Sequence, residues 1–98
     1  MKCATADILD FLHSRKDFFA KEFTVKKIGL FGSYARGDAS EDSDIDIVVE
    51  LGKPDLFYLI GLKQLIEEAM GCKVDIVRLR NKMNESLKQR IERDALYV

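Results

Sequence analysis

The chain has 98 residues, 47% apolar and 34% charged, with a formal net charge of −1 at pH 7. That length gives a single domain, 1–98, with one modest core, and the composition is that of a soluble globular protein, not a disordered one. No stretch is apolar for long enough to span a bilayer, the N-terminus carries no signal-peptide hydrophobic region, and the near-zero charge argues against a dedicated nucleic-acid-binding surface. Two cysteines, Cys3 and Cys72, have neither zinc spacing nor a disulfide-rich pattern and read as thiols in a reducing cytoplasm.

In chain order, Ile8, Leu9, Phe11 and Leu12 recur at helical spacing and predict a helix over about Thr5 to His13, capped by Thr5 or Asp7. A second helical piece, about Ser14 to Phe23, takes its apolar bulk from Phe18, Phe19 and Phe23, which read as core; the two pieces are expected to be separate or one bent helix. Val25 to Phe31 is a strand, with a β-branched start and Gly32 at its end. Ser33 to Arg36 is a short helix, followed by an acidic loop over Asp38 to Ser43 and a second strand over about Asp44 to Leu51. Asp55 is placed to cap a helix carrying a stripe of Leu56, Leu59, Leu62, Ile66 and Ala69, which Gly61 weakens and Gly71 ends. A third strand over Lys73 to Leu79 and a last helix from near Asn84, with Leu87, Ile91 and Ala95 facing inward, complete the chain; Tyr97-Val98 reads as a short extended tail. The strand–helix–strand unit implies parallel pairing of the second and third strands. The shorter link between the first two implies antiparallel pairing. The expected architecture is α/β of the α+β type: a small mixed three-stranded sheet flanked by about four helices, with the helices on one face.

The chemistry concentrates in Gly32 to Asp46, GSYARGDASEDSDID. Period-2 geometry places Asp44 and Asp46 on one strand face, their Cα atoms roughly 6.5–7 Å apart, close enough to converge on one hard cation. Asp75, an acid inside the apolar third strand, can share that face. Three such carboxylates repel one another unless cations neutralise them, and oxygen-seeking Mg²⁺ bridged to substrate phosphates fits. Each feature has a plainer alternative. Gly32-Ser33 can be an ordinary turn, Asp44 and Asp46 a solvated edge, Asp75 a partner of Arg78 or Lys73, and the Lys/Arg excess from Arg78 to Arg93 a solvated helical face. Their joint occurrence, in order and on predicted strands, favours a nucleotide site. The sole histidine, His13, offers no base for a nucleophilic serine, so Ser33 reads as a binder. No Walker A loop or Rossmann fingerprint occurs.

The pattern GS…ARG…SDIDIVV followed by VDIV resembles the DNA polymerase beta-type nucleotidyltransferase superfamily, in particular the minimal nucleotidyltransferases often encoded beside HEPN-domain toxins as toxin–antitoxin pairs. The resemblance runs from Val25 to the end of the last helix. It implies a nucleotidyltransferase fold, ATP as substrate and two Mg²⁺ ions. Gly32 and Ser33 would hold the nucleotide's terminal phosphates. Asp44 and Asp46 would bind both metals, and Asp75 would complete the catalytic metal's shell and take the acceptor's proton. Arg36, in the GSxARG box, would either contact phosphate or support the turn; a salt bridge with Asp38, Glu41 or Asp42 is the structural alternative. The implied activity is AMP transfer to a tyrosine of the cognate HEPN toxin, in a hetero-oligomer with it. Two alternatives stay open: a binding antitoxin that occludes the toxin without catalysis, and transfer of a nucleotide to a small molecule.

Overall fold

The computed structural model describes residues 4–98, so Cys3 lies outside the described residues. Two helices, α1 (Thr5–Ser14) and α2 (Lys16–Phe23), lead into strand β1 (Val25–Phe31). A single helical turn, α3 (Ser33–Arg36), precedes β2 (Ile45–Leu51); then come α4 (Leu56–Met70), β3 (Val74–Arg78), α5 (Glu85–Asp94) and a short β4 (Leu96–Tyr97). The sheet order is β3-β2-β1-β4. As the connection lengths require, β1 and β2 run antiparallel and β2 and β3 parallel.

Two expectations about the sheet are corrected. The sheet has four strands, because the expected tail pairs with β1: Gly29 faces Tyr97, Leu30 faces Leu96, and the Val98 amide donates to the Ile28 carbonyl at 3.1 Å. Gly29 makes this possible, since a Cβ there would lie 2.8 Å from Tyr97 Cδ1 and 2.9 Å from the Leu96 carbonyl oxygen. A two-residue strand carries too little pattern to be read from sequence.

Helices also cover both faces of the sheet, not one. On one face Ile28, Leu30, Ile45, Ile47 and Val49 join Ile8, Leu12 and Phe19 from α1 and α2 and Leu62 and Ile66 from α4 in the larger core. The alternate residues Phe31 and Val48 build a smaller core with Ile91 of α5, flanked by Val77 and Leu87. Strand alternation fixes this division, and it decides where the acids go: Asp46 and Asp75 belong to the α5 side.

Local chemistry accounts for most element ends. Asp55 accepts from the Phe57 amide at 2.9 Å and Asn84 from the Leu87 amide at 3.1 Å, each satisfying an orphan donor of α4 and α5. Gly71 ends α4 in the left-handed conformation. At α1 neither Thr5 nor Asp7 caps the helix; the Thr5 hydroxyl donates to the Tyr34 carbonyl and ties α1 to α3. An aromatic group of Phe11, Phe18, Phe19, Phe23 and Tyr58, with ring centroids 6.2–6.4 Å apart, joins the first two helices to α4. Gly61 belongs to that contact, since a Cβ there would stand 2.8 Å from Phe23 Cε1. Of the phenylalanines expected in the core, Phe19 is buried, Phe23 half-buried and Phe18 exposed. Leu56 leaves the expected stripe: with Phe57 and Ile60 it lies exposed at the start of α4, while Leu62 and Ile66 are buried.

Candidate active site

The site lies where β1 ends against the start of β2. Phe31 is buried in the smaller core, so the chain must turn sharply after it, and Gly32 does so at φ 77°, ψ −153°. Side-chain-bearing residues avoid that conformation. A second constraint coincides with the first: a Cβ on Gly32 would stand 2.1 Å from Asp46 Oδ2. The Asp46 carboxylate therefore packs directly against the bare backbone of the turn. Ser33 follows at once as the first residue of α3, half-exposed beside it.

Asp46 is flanked on both sides in the sheet. Phe31 is its antiparallel partner on β1 and Asp75 its parallel partner on β3. Neighbouring strands stand about 4.8 Å apart, so Asp46 and Asp75 share one face as adjacent rungs. Asp44 is the last residue before β2, two positions from Asp46, and is held in place by the Ile45 amide donating to the Lys73 carbonyl at 2.8 Å. The Asp38–Ser43 loop closes on a serine turn, with the Ser40 amide donating to Ser43 Oγ at 2.9 Å. Among the described residues the ion pairs are Arg36–Asp38, Arg36–Asp94 and Arg93–Asp94, so Asp75 is not spent on Arg78 or Lys73.

Electrostatics marks Asp46 as the crowded member. Burial first, then the Asp75 charge, push its carboxyl above the ordinary value; Arg90 pulls it back, Asp44 adds to the rise and Arg36 again opposes it. A half-buried carboxylate beside two others is disfavoured in its charged form. Among the described residues no three His, Cys, Asp or Glu side chains are already gathered into a metal-holding cluster. The donor set nevertheless fits a hard divalent ion. It is all oxygen and anionic, and its central member is crowded by like charges that a cation relieves.

Arg36 points to the structural side of its alternatives and adds a partner the sequence did not suggest. Its Nε donates to Asp38 at 3.2 Å and its Nη1 to Asp94 at 2.8 Å, while Glu41 and Asp42 make no pair with it. The Asp94 side chain is only 3% exposed and also accepts two bonds from Arg93, at 2.9 and 3.0 Å. The Arg93 and Arg36 guanidiniums hold its carboxyl down at about 2. Two residues of this corner, Asp94 and Arg90, are absent from a reading by motif. A signal for Asp94 does exist, because an acid in the last turn of a helix opposes the macrodipole unless cations offset it. Arg90 immediately precedes the buried Ile91, which puts it on the border of the inward stripe.

Beyond Asp75, at the β3 edge, a cavity of about 650 Å³ is lined by Asp44, Asp75, Lys63, Glu67 and Lys73. Glu67 is fixed there, accepting from the Val74 amide at 2.9 Å.

Oxygen ligands clustered on one sheet face suit the divalent-ion clamp used in phosphoryl displacement. The chain belongs to the nucleotidyltransferase domain family, whose model matches residues 12–98. It is similar to a Methanocaldococcus jannaschii protein provisionally named a protein adenylyltransferase, 38% identical over 96 residues, covering 95% of this chain and 96% of that one. It is likewise similar to the protein adenylyltransferase MntA of Thermococcus cleftensis, 36% identical over 93 residues, 94% of this chain and 93% of the relative. Among solved structures, a toxin–antitoxin complex with AMP-PNP contains a chain with this fold (TM-score 0.69, 28% identity, 86% of this chain and 69% of that one).

Proposed function

We propose that this protein is an antitoxin that transfers AMP from ATP to a tyrosine hydroxyl of a cognate HEPN toxin, with Mg²⁺ as cofactor. The observation that carries the reading is the placement of Asp46: packed on the Gly32 turn on one side and in register with Asp75 on the other. The relatives named as protein adenylyltransferases and the toxin–antitoxin complex with AMP-PNP support the same reaction.

In this reading Gly32 and Ser33 receive the terminal phosphates, and Asp44, Asp46 and Asp75 hold two Mg²⁺ ions. When bound, those ions neutralise the three carboxylates and polarise the phosphate oxygens. Arg36, engaged by Asp38 and Asp94, supports the turn. An in-line displacement needs the attacking oxygen opposite the leaving group. With the polyphosphate over the β1 turn, we put the acceptor on the β3 side of the carboxylates, toward Asp75. In this reading Asp75 takes the hydroxyl proton. The tyrosine oxygen then bonds to the α-phosphorus as the bond to the bridging oxygen breaks, and that electron pair leaves with pyrophosphate.

No helix among the described residues is long and apolar enough to cross a membrane, and we place the reaction in the cytoplasm, where ATP and the toxin meet. The test is transfer of label from α-labelled ATP to the product of the neighbouring gene. Label should appear on that partner only with a divalent cation, and Asp44→Ala or Asp46→Ala should lower the rate by at least about 100-fold. A neighbour that stays unlabelled with every metal tried removes the enzymatic reading.

A further inference from the structure

Three arginines stand at the corner between α3 and α5, and two of them are committed. Arg36 bridges Asp38 and Asp94, and Arg93 grips Asp94 with two bonds. Arg90 pairs with no carboxylate among the described residues. It is exposed, and its guanidinium carbon lies 5.9 Å above the Phe31 ring. Phe31 is both the residue before Gly32 and the in-register partner of Asp46. The aromatic face thus holds an uncommitted cation over the junction of the glycine turn and the central carboxylate.

We propose that Arg90 is a polyphosphate-binding residue of this site, holding the β- and γ-phosphates of the nucleotide and then the departing pyrophosphate. The inference rests on the nucleotidyl-transfer reading above. A guanidinium presents paired donors that match two phosphate oxygens, and its charge is weakly hydrated, so little is lost when it leaves water for a ligand. Anchorage is supplied by α5: Ile91, next in sequence, is 2% exposed and packs with Phe31 and Val48, so the backbone carrying Arg90 is fixed to the catalytic face.

The discriminating ligand pair is a non-hydrolysable ATP analogue and AMP, since AMP lacks the phosphates in question. By calorimetry with Mg²⁺, Arg90→Gln should weaken the ATP analogue about tenfold or more while changing AMP affinity little. Arg90→Lys should recover part of the loss, and pyrophosphate should inhibit Arg90→Gln less than the wild type. Equal weakening of both ligands, or no change in either, overturns the role. So does loss of partner binding with nucleotide affinity intact, which would move Arg90 to the interface. A wild-type protein that binds the analogue and labels its partner, beside an Arg90→Gln variant that does both equally well, sinks this inference alone. A wild type that does neither sinks the transfer reading with it.

Discussion

At the scale of single residues, the site is built against the stability of the fold. The Asp46 carboxyl is raised above its ordinary value by burial and the Asp75 charge, so the folded state tolerates its charge less well than the unfolded chain does. Its favourable contribution is present in acid, below the ordinary value of 3.8, and is lost as the pH rises through the folded value. At neutral pH without metal, Asp46→Asn should therefore melt above the wild type while losing activity. Mg²⁺ with nucleotide should raise the melting temperature of the wild type and not of the variant. Asp94 carries the opposite sign. With its carboxyl held at about 2 by Arg93 and Arg36, its contribution is present above the ordinary value and disappears as the pH falls through about 2. Asp94→Asn should melt lower than the wild type at pH 7, and the two melting curves should converge in strong acid. Gly32→Ala combines a strained φ with a Cβ 2.1 Å from Asp46 Oδ2. It should cost about 1–3 kcal/mol from the backbone alone and displace the carboxylate, seen as lost transfer and a lower melting temperature.

At the scale of elements, the balance of two effects is testable in α4. Gly61→Ala gains about 1 kcal/mol of helix propensity. The new methyl, however, would press on Phe23 Cε1 at 2.8 Å, and overpacking costs about 1–3 kcal/mol. Net destabilisation is expected, measured by chemical denaturation. The elements also show what a sequence can carry. The period-2 run Ile45–Leu51, the Asp55 cap and the Gly71 stop are local signals and place β2 and α4 to within a residue or two. The shared face of Asp46 and Asp75 is legible because it follows from strand alternation and parallel pairing, and the turn at Gly32 because a glycine ends an apolar run. The fourth strand, the docking of α5 on the second face and the Arg36–Asp94 bond all join residues distant in sequence, 58 apart in the case of that bond. Nothing in a local window encodes which distant surface an amphipathic helix will cover. Leu56 shows the converse, an apolar position on the predicted stripe that the packing leaves exposed.

At the scale of the molecule, two unequal cores share one sheet, and Asp46 and Asp75 lie on the face of the smaller. Phe31, Val48 and Ile91 form its centre. The larger core, under α1, α2 and α4, carries most of the buried bulk. Partial loss of the α5 layer is thus expected before global unfolding, and hydrogen exchange should show faster amides in α5 than in β1 and β2. Chelation of divalent ions should stop transfer without unfolding the larger core, since none of the carboxylates assigned to the metals belongs to it.

The ring of Phe31 serves as keystone for several of these parts at once. It floors the last helix, precedes the glycine bend, neighbours the central acid and seats a guanidinium. Trimming that ring to a smaller side chain would loosen all four together. Such a variant would keep every acid and arginine of this corner in its sequence and lose the surface that sets them side by side.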